Sequence, residues 1–409
     1  MNKKFFSLIF LLLSTIAFAT DNADNKNVVN QDKNIADAED GDVAAVLCRT
    51  DNIPIESIDG ADDQYFEGYL QALVDMHFYE YRVVVIVKER NVWLANIPKN
   101  ALIAKSITSF LKDVPGVKRV AVIDGVPPEE MVKREKYVNR PKVCGIWFPQ
   151  TTVLFQPMIA NPRQVIYSIG YRGGDRVAGK RAVEISLGDD FPIFRWLDIF
   201  RWHGDLQIGV EAGIWSVFNM DPKPNLGGGT ALFNTDFYVG IPLVYAVNKW
   251  AWRFRVYHIS SHLGDEFMVN HPGFLRKNPS FEAFDAFLSF QAFNSFRLYG
   301  GPGYIIHSDH SFRMKHFYVE YGFEGSFLGT KIPYHNLYGT FFYATYWRNW
   351  QLNHFDIDGT YLLGYEWSKI QGVGRKIRIF AEYHHGFSPD GQFMNERTDY
   401  WGIRLAWGF

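Results

Sequence analysis

Ser260, His258 and Glu282 are the residues of this chain whose types and spacing best suit covalent chemistry. His258 and Ser260 stand two positions apart in Trp252-Arg-Phe-Arg-Val-Tyr-His-Ile-Ser260, where Trp252, Phe254 and Val256 alternate with Arg253 and Arg255. That is strand periodicity, and continuing it sends His258 and Ser260 to the apolar face with Cα atoms about 7 Å apart, within side-chain reach. The following segment carries Phe284, Ala286, Leu288 and Phe290 on one face, which puts Glu282 on that face at a similar height. A hydroxyl nucleophile, an imidazole base and a carboxylate to orient it are the parts of an acyl-transfer triad. Asp265 and Glu266, in Ser261-His-Leu-Gly-Asp-Glu266, are adjacent carboxylates that could bind Ca²⁺, which would polarise an ester carbonyl. The competing reading ends the strand at Tyr257 and leaves a polar, self-capping loop.

The elements that would position these side chains repeat along the C-terminal two thirds of the chain. Phe233, Thr235, Phe237, Val239, Ile241 and Leu243 alternate with Asn234, Asp236, Tyr238, Gly240 and Pro242. Similar alternation runs through Leu206 to Ile214, Phe317 to Glu324 and Phe355 to Gly364. Counting from Gln164 gives about twelve such segments, an even number, with short turns alternating with longer loops. The polar positions collect Glu211, Asp236, Arg253, Arg255, Asp285, Arg297, Arg378 and Glu382, opposite charges dense enough to cross a lumen with ion pairs. Aromatic content is 17% and net charge is −2. The first suits interfacial girdles and the second gives no signal for nucleic acid. Mean hydropathy of −0.15 is that of a barrel whose two faces average out. Alternation alone also fits a soluble sandwich, but both chain ends favour a membrane.

At the N-terminus, Lys3 and Lys4 precede an apolar run to Ile16 and the small-x-small site Ala17-Phe-Ala19, the pattern of a secretory signal peptide over residues 1–19. Residues 20–49 are rich in Asp, Asn and Ala, as a flexible leader is. Residues 50–130 then read helix-strand-strand-helix-strand, a small α+β domain, followed by a Pro-containing linker over 131–160 and the barrel over 161–409. Cys48 and Cys144 are a pairable set in an exported chain and would staple the ends of the first folded segment.

The C-terminal Trp401-Gly-Ile-Arg-Leu-Ala-Trp-Gly-Phe409 has a large apolar residue at every second position and resembles the closing strand of bacterial outer-membrane barrels. That resemblance implies a sorting signal at Phe409 read by the barrel-assembly machinery. The expected fold is a transmembrane antiparallel β-barrel of about twelve strands in the outer membrane, with the αββαβ domain in the periplasm. Val83 to Ile97, the Ala104/Ile107 helix face and Val114-Pro-Gly-Val-Lys-Arg-Val120 resemble a BON domain, which implies binding of phospholipid or a periplasmic partner. The outward His-x-Ser pair resembles outer-membrane phospholipase A and lipid A deacylase. It implies Ser260 as nucleophile, His258 as base and Glu282 as orienter. Phe155-Gln-Pro-Met-Ile-Ala-Asn-Pro-Arg163, Asp190-Phe-Pro-Ile-Phe-Arg-Trp196, Ser260-Ser-His-Leu-Gly-Asp-Glu266 and Gly386-Phe-Ser-Pro-Asp-Gly-Gln-Phe393 resemble the domain-of-unknown-function 1207 family over about residues 146–409. On this reading the α+β module is an addition to that barrel. Three functions follow as expectations: a lipid acyl hydrolase, a non-enzymatic lipid-binding or anchoring protein of the envelope, and a narrow channel.

Overall fold

The computed structural model describes residues 62–123, 144–149, 153–222, 229–293, 295–332, 337–369 and 374–409. The signal-peptide and leader readings, and Cys48, lie outside the described residues. The alternating segments form strands β5 (Tyr167–Asp175), β6 (Gly179–Ile199), β7 (Gly204–Asn219), β8 (Ala231–Val247), β9 (Trp250–Leu263), β10 (Ser280–Phe293), β11 (Phe296–Ser308), β12 (Phe317–Ile332), β13 (Leu337–Trp350), β14 (Asp358–Ser368), β15 (Lys376–Phe387) and β16 (Arg397–Gly408). Each pairs antiparallel with its chain neighbours, β16 pairs with β5, and the ring of twelve is closed. Closure is what lets strands cross a membrane, because no sheet edge is left with unpaired N–H and C=O groups. Among the described residues no helix is long and apolar enough to cross one.

Side chains sort by alternation as the sequence predicts. On β16, Trp401, Ile403, Leu405 and Trp407 are exposed to the outside, while Gly402, Arg404, Ala406 and Gly408 face in. Exposed aromatics gather at two heights. Tyr171, Tyr321, Tyr361, Tyr383 and Trp401 lie toward the end with the long loops, and Trp196, Phe200, Trp202, Trp250 and Trp407 toward the end with the short turns. Two such girdles flanking an apolar band are the outer surface of an outer-membrane-type barrel.

The αββαβ order is also present, as α1 (Asp63–Phe78), β1 (Val84–Lys88), β2 (Asn91–Ala95), α2 (Ala101–Lys112) and β3 (Arg119–Val122). The β1–β2 turn places Glu89 and Arg90 at φ 51° and 64°, the hand that matches strand twist. Its N–H groups donate to the Asp63 carboxylate. Glu67 and Gln71 of α1 accept from Val87 and Val85 at 2.8 and 2.9 Å, so the outer edge of β1 is satisfied by side chains. Asn100 caps α2, its Oδ1 accepting from the amides of Leu102 and Ile103.

This domain docks on the turn end. The Ala101 amide donates to the Asn248 carbonyl at 2.9 Å, Tyr338 donates to Asp113 at 2.6 Å, and Arg195 of β6 donates to the Tyr81 hydroxyl at 2.6 Å. Strand β4 (Gly145–Trp147) pairs with β6 beyond the start of β5. Most of the stretch assigned by sequence to the end of the linker and the start of the barrel then runs inside it. Val153, Leu154, Phe155, Met158, Ile159, Ala160, Val165 and Ile166 are buried, and most share one core with inward side chains such as Phe287, Tyr299, Phe342 and Phe380. An apolar segment threads the lumen because the wall residues around it are themselves apolar at mid-height.

Candidate active site

The outward face near the loop end carries the predicted residues. In the β9–β10 register His258 faces Glu282 and Ser260 faces Ser280. His258 Nδ1 lies 2.9 Å from Glu282 Oε1, and both side chains keep 28% of their surface exposed. Phe254, Val256, Phe284 and Leu288 continue the same face from this pair toward the turn end. Strand β9 does not stop at Tyr257; it continues to Leu263, so Ser260 holds the next outward position after His258. The structure thus brings the imidazole and the carboxylate together and places the serine one outward position further along the strand.

A fourth residue belongs to this site. His307 Nδ1 lies 2.8 Å from Glu282 Oε2, so the carboxylate bridges two imidazoles on three successive strands. Strict alternation hides His307, because Tyr304 and Ile306 already take the outward positions of β11. A β-bulge changes this. Glu282 pairs with His307 and Ala283 with Ile305, leaving Ile306 unpaired, so residues 306 and 307 both face out while Ile305 is buried. Bulges re-aim side chains in this way beside active sites. The signal available in the sequence was a second His at strand height, without the register to place it.

The other predicted positions sit elsewhere. Asp265 and Glu266 open the six-residue helix α3 (Asp265–Asn270), where unpaired amides favour negative charge. Among the described residues no group of three or more His, Cys, Asp or Glu side chains is placed to hold a metal ion. Cys144 is exposed just before β4, and its expected partner Cys48 is outside the described residues. Phe409 departs from the outward set of β16. Only 6% of it is exposed, its carbonyl accepts from Arg378 at 2.9 Å, and the Arg375 guanidinium lies 4.4 Å from its ring. The end of the chain turns inward because Arg375 and Arg378 offer it charge that lipid cannot.

The sequence motifs themselves meet inside the barrel. Arg163, at the end of the luminal segment, contacts Asp236 of β8 at 2.6 Å and Asp390 of the β15–β16 loop at 2.8 Å. It also donates to the Pro389 carbonyl. Arg172 reaches Asp390 at 3.1 Å and Glu184 at 2.6 Å, and Arg404 reaches Glu184 at 2.7 Å. Ser261, next to Ser260 but on the opposite face, donates to Asn234, and its carbonyl accepts from Gln392. Neighbouring serines therefore serve different sides of one strand. Gly264 is required where β9 ends, since a Cβ there would come within 2.0 Å of the Leu232 carbonyl oxygen. Phe233, Phe267 and Phe393 pack together beside the network toward the loop end.

A family described as "Protein of unknown function (DUF1207)" matches residues 77–409. The match reaches back through β1, β2, α2 and β3, so the expectation that the α+β module is an addition to the family's barrel is corrected. The family thus spans the barrel and the part of the α+β module that follows α1. No curated protein matches the chain. Among solved structures, the chain is similar to the Salmonella typhi outer membrane phospholipase dimer with bound calcium (15% identity, 59% of this chain and 89% of that one, TM-score 0.41). It is similar to the Escherichia coli outer membrane phospholipase A (14%, 61% and 96%, TM-score 0.41). A third is the beta domain of the Bordetella autotransporter BrkA (11%, 59% and 97%, TM-score 0.31).

Proposed function

The chain belongs to the DUF1207 family of proteins of unknown function, and we propose that it is an outer-membrane acyl hydrolase acting on membrane lipid. The observation that carries this reading is the His258 Nδ1–Glu282 Oε1 contact of 2.9 Å on the lipid-facing surface, one outward position from a serine hydroxyl. Ionisable side chains on such a face cost stability, least near the interface, so a bridged His-Glu-His row there is more than decoration.

In the proposed reaction Ser260 Oγ attacks the ester carbonyl of a lipid that arrives by diffusing within the membrane. His258 Nε2 takes the hydroxyl proton, with Glu282 holding Nδ1 and stabilising the imidazolium that forms. The imidazolium returns that proton to the leaving alkoxide. Water, activated by the same imidazole, then releases the fatty acid from the acyl-serine. The α+β domain, as a BON-like module on the periplasmic side, would hold the turn end to phospholipid or a periplasmic partner. The packed lumen counts against a channel.

The test is fatty-acid release from phospholipid and lipopolysaccharide by the refolded full-length protein, with and without Ca²⁺, beside Ser260→Ala. Release that vanishes in the variant supports the hydrolase. A folded wild-type barrel that releases nothing sinks it and leaves the anchoring role.

A further inference from the structure

The lumen is packed at mid-height, and a cavity of about 390 Å³ lies at the turn end beneath α2. That is within the range of small-molecule sites, about 300–1,000 Å³. Leu102, Lys105 and Ser109 of α2 line one side, Gln156 of the luminal segment another, and Phe296 and Phe342 of the barrel wall a third.

Its charges are unevenly committed. Arg297 is held by the Gln156 and Pro157 carbonyls and by Glu324. Lys376 and Arg378 share Glu366, and Arg378 also takes the Phe409 carbonyl. Lys105 has no ion pair among the described residues, and its partial burial holds the ammonium below the usual lysine range. Gln156, which lines the same cavity, has a buried Nε2 without an acceptor. A buried donor left unpaired is costly, and an acceptor supplied by a ligand would remove that cost. A cation without an ion pair and one unanswered amide donor beside an apolar wall call for a molecule with an anionic end and a hydrocarbon body.

We propose that this cavity binds a single-chain anionic amphiphile, its carboxylate or phosphate head on Lys105 and the Gln156 amide and its alkyl chain against Leu102, Phe296 and Phe342. The site lies at the opposite end of the barrel from Ser260 and stands whether or not the barrel hydrolyses lipid.

The experiment uses the full-length protein in phosphatidylcholine nanodiscs, with empty nanodiscs as the background. Dodecanoate, dodecyl phosphate and dodecyltrimethylammonium are titrated in turn by calorimetry. Saturable binding of one or both anionic probes, and none of the cationic one, is expected; whichever anion binds more tightly identifies the head group. Lys105→Glu should weaken that binding at least tenfold, the loss of a charge-assisted contact. Leu102→Trp should abolish it by filling the cavity, with both variants keeping the folded mobility of the unheated barrel on a gel. Absence of saturable anion binding, equal binding of the cationic probe, or wild-type affinity in both variants would overturn the proposal.

Discussion

Replacing Glu282 by Gln tests the proposed mechanism most directly, because it removes a charge and keeps the shape. The amide oxygen can still accept from His258 Nδ1, so the ring stays in place and only the electrostatic support for the imidazolium is lost. With Nδ1 and Oε1 2.9 Å apart, the two charge centres lie roughly 4 Å apart. At an effective dielectric of about 20 such a pair is worth about 4 kcal/mol. Each partner is 28% exposed at the rim, and the solvent this admits reduces the benefit to about 2 kcal/mol. That corresponds to roughly a 30-fold fall in kcat with KM unchanged, since the interaction strengthens only as the transition state forms. Glu282→Leu, which also removes the acceptor, should lose about a further tenfold. The assay is fatty-acid release from phospholipid vesicles containing the refolded barrel, with substrate varied across KM. A Glu282→Gln enzyme within twofold of wild type, or one whose loss is wholly in KM, would refute the assignment of Glu282.

His307 should act through Glu282. His307→Leu is expected to lower kcat about tenfold while His307→Asn, whose amide can donate from near the Nδ1 position, stays close to wild type; equal rates in all three proteins would remove His307 from the site. Arg163 locks the β15–β16 loop into the lumen, and Arg163→Met leaves buried Asp236 and Asp390 without it. The expected destabilisation is about 3–5 kcal/mol, read from urea unfolding in lipid vesicles, with new protease cleavage between residues 388 and 396. A loss under about 1 kcal/mol would mean that the loop is held by its aromatic contacts instead.

Period-two alternation was enough to read the barrel, its strand number, and the outward placement of His258, Ser260 and Glu282, because the pleat alternates faces whatever the surroundings. The αββαβ order was equally legible, since helical and strand periodicities differ within a few residues. What escaped were features fixed by long-range pairing. The bulge at Ile306 that swings His307 outward depends on the β10–β11 register, and one inserted residue reverses every assignment after it. Residues 153–166 have no period at all, and only a wall built from strands far along the chain makes their burial in the lumen favourable. The same holds for Arg163, whose partners Asp236 and Asp390 are brought to it by closure of the barrel. Sequence by itself determined which face each strand residue takes; the closed ring decided which of those residues meet, because contact between distant segments is a property of the register and not of any local pattern.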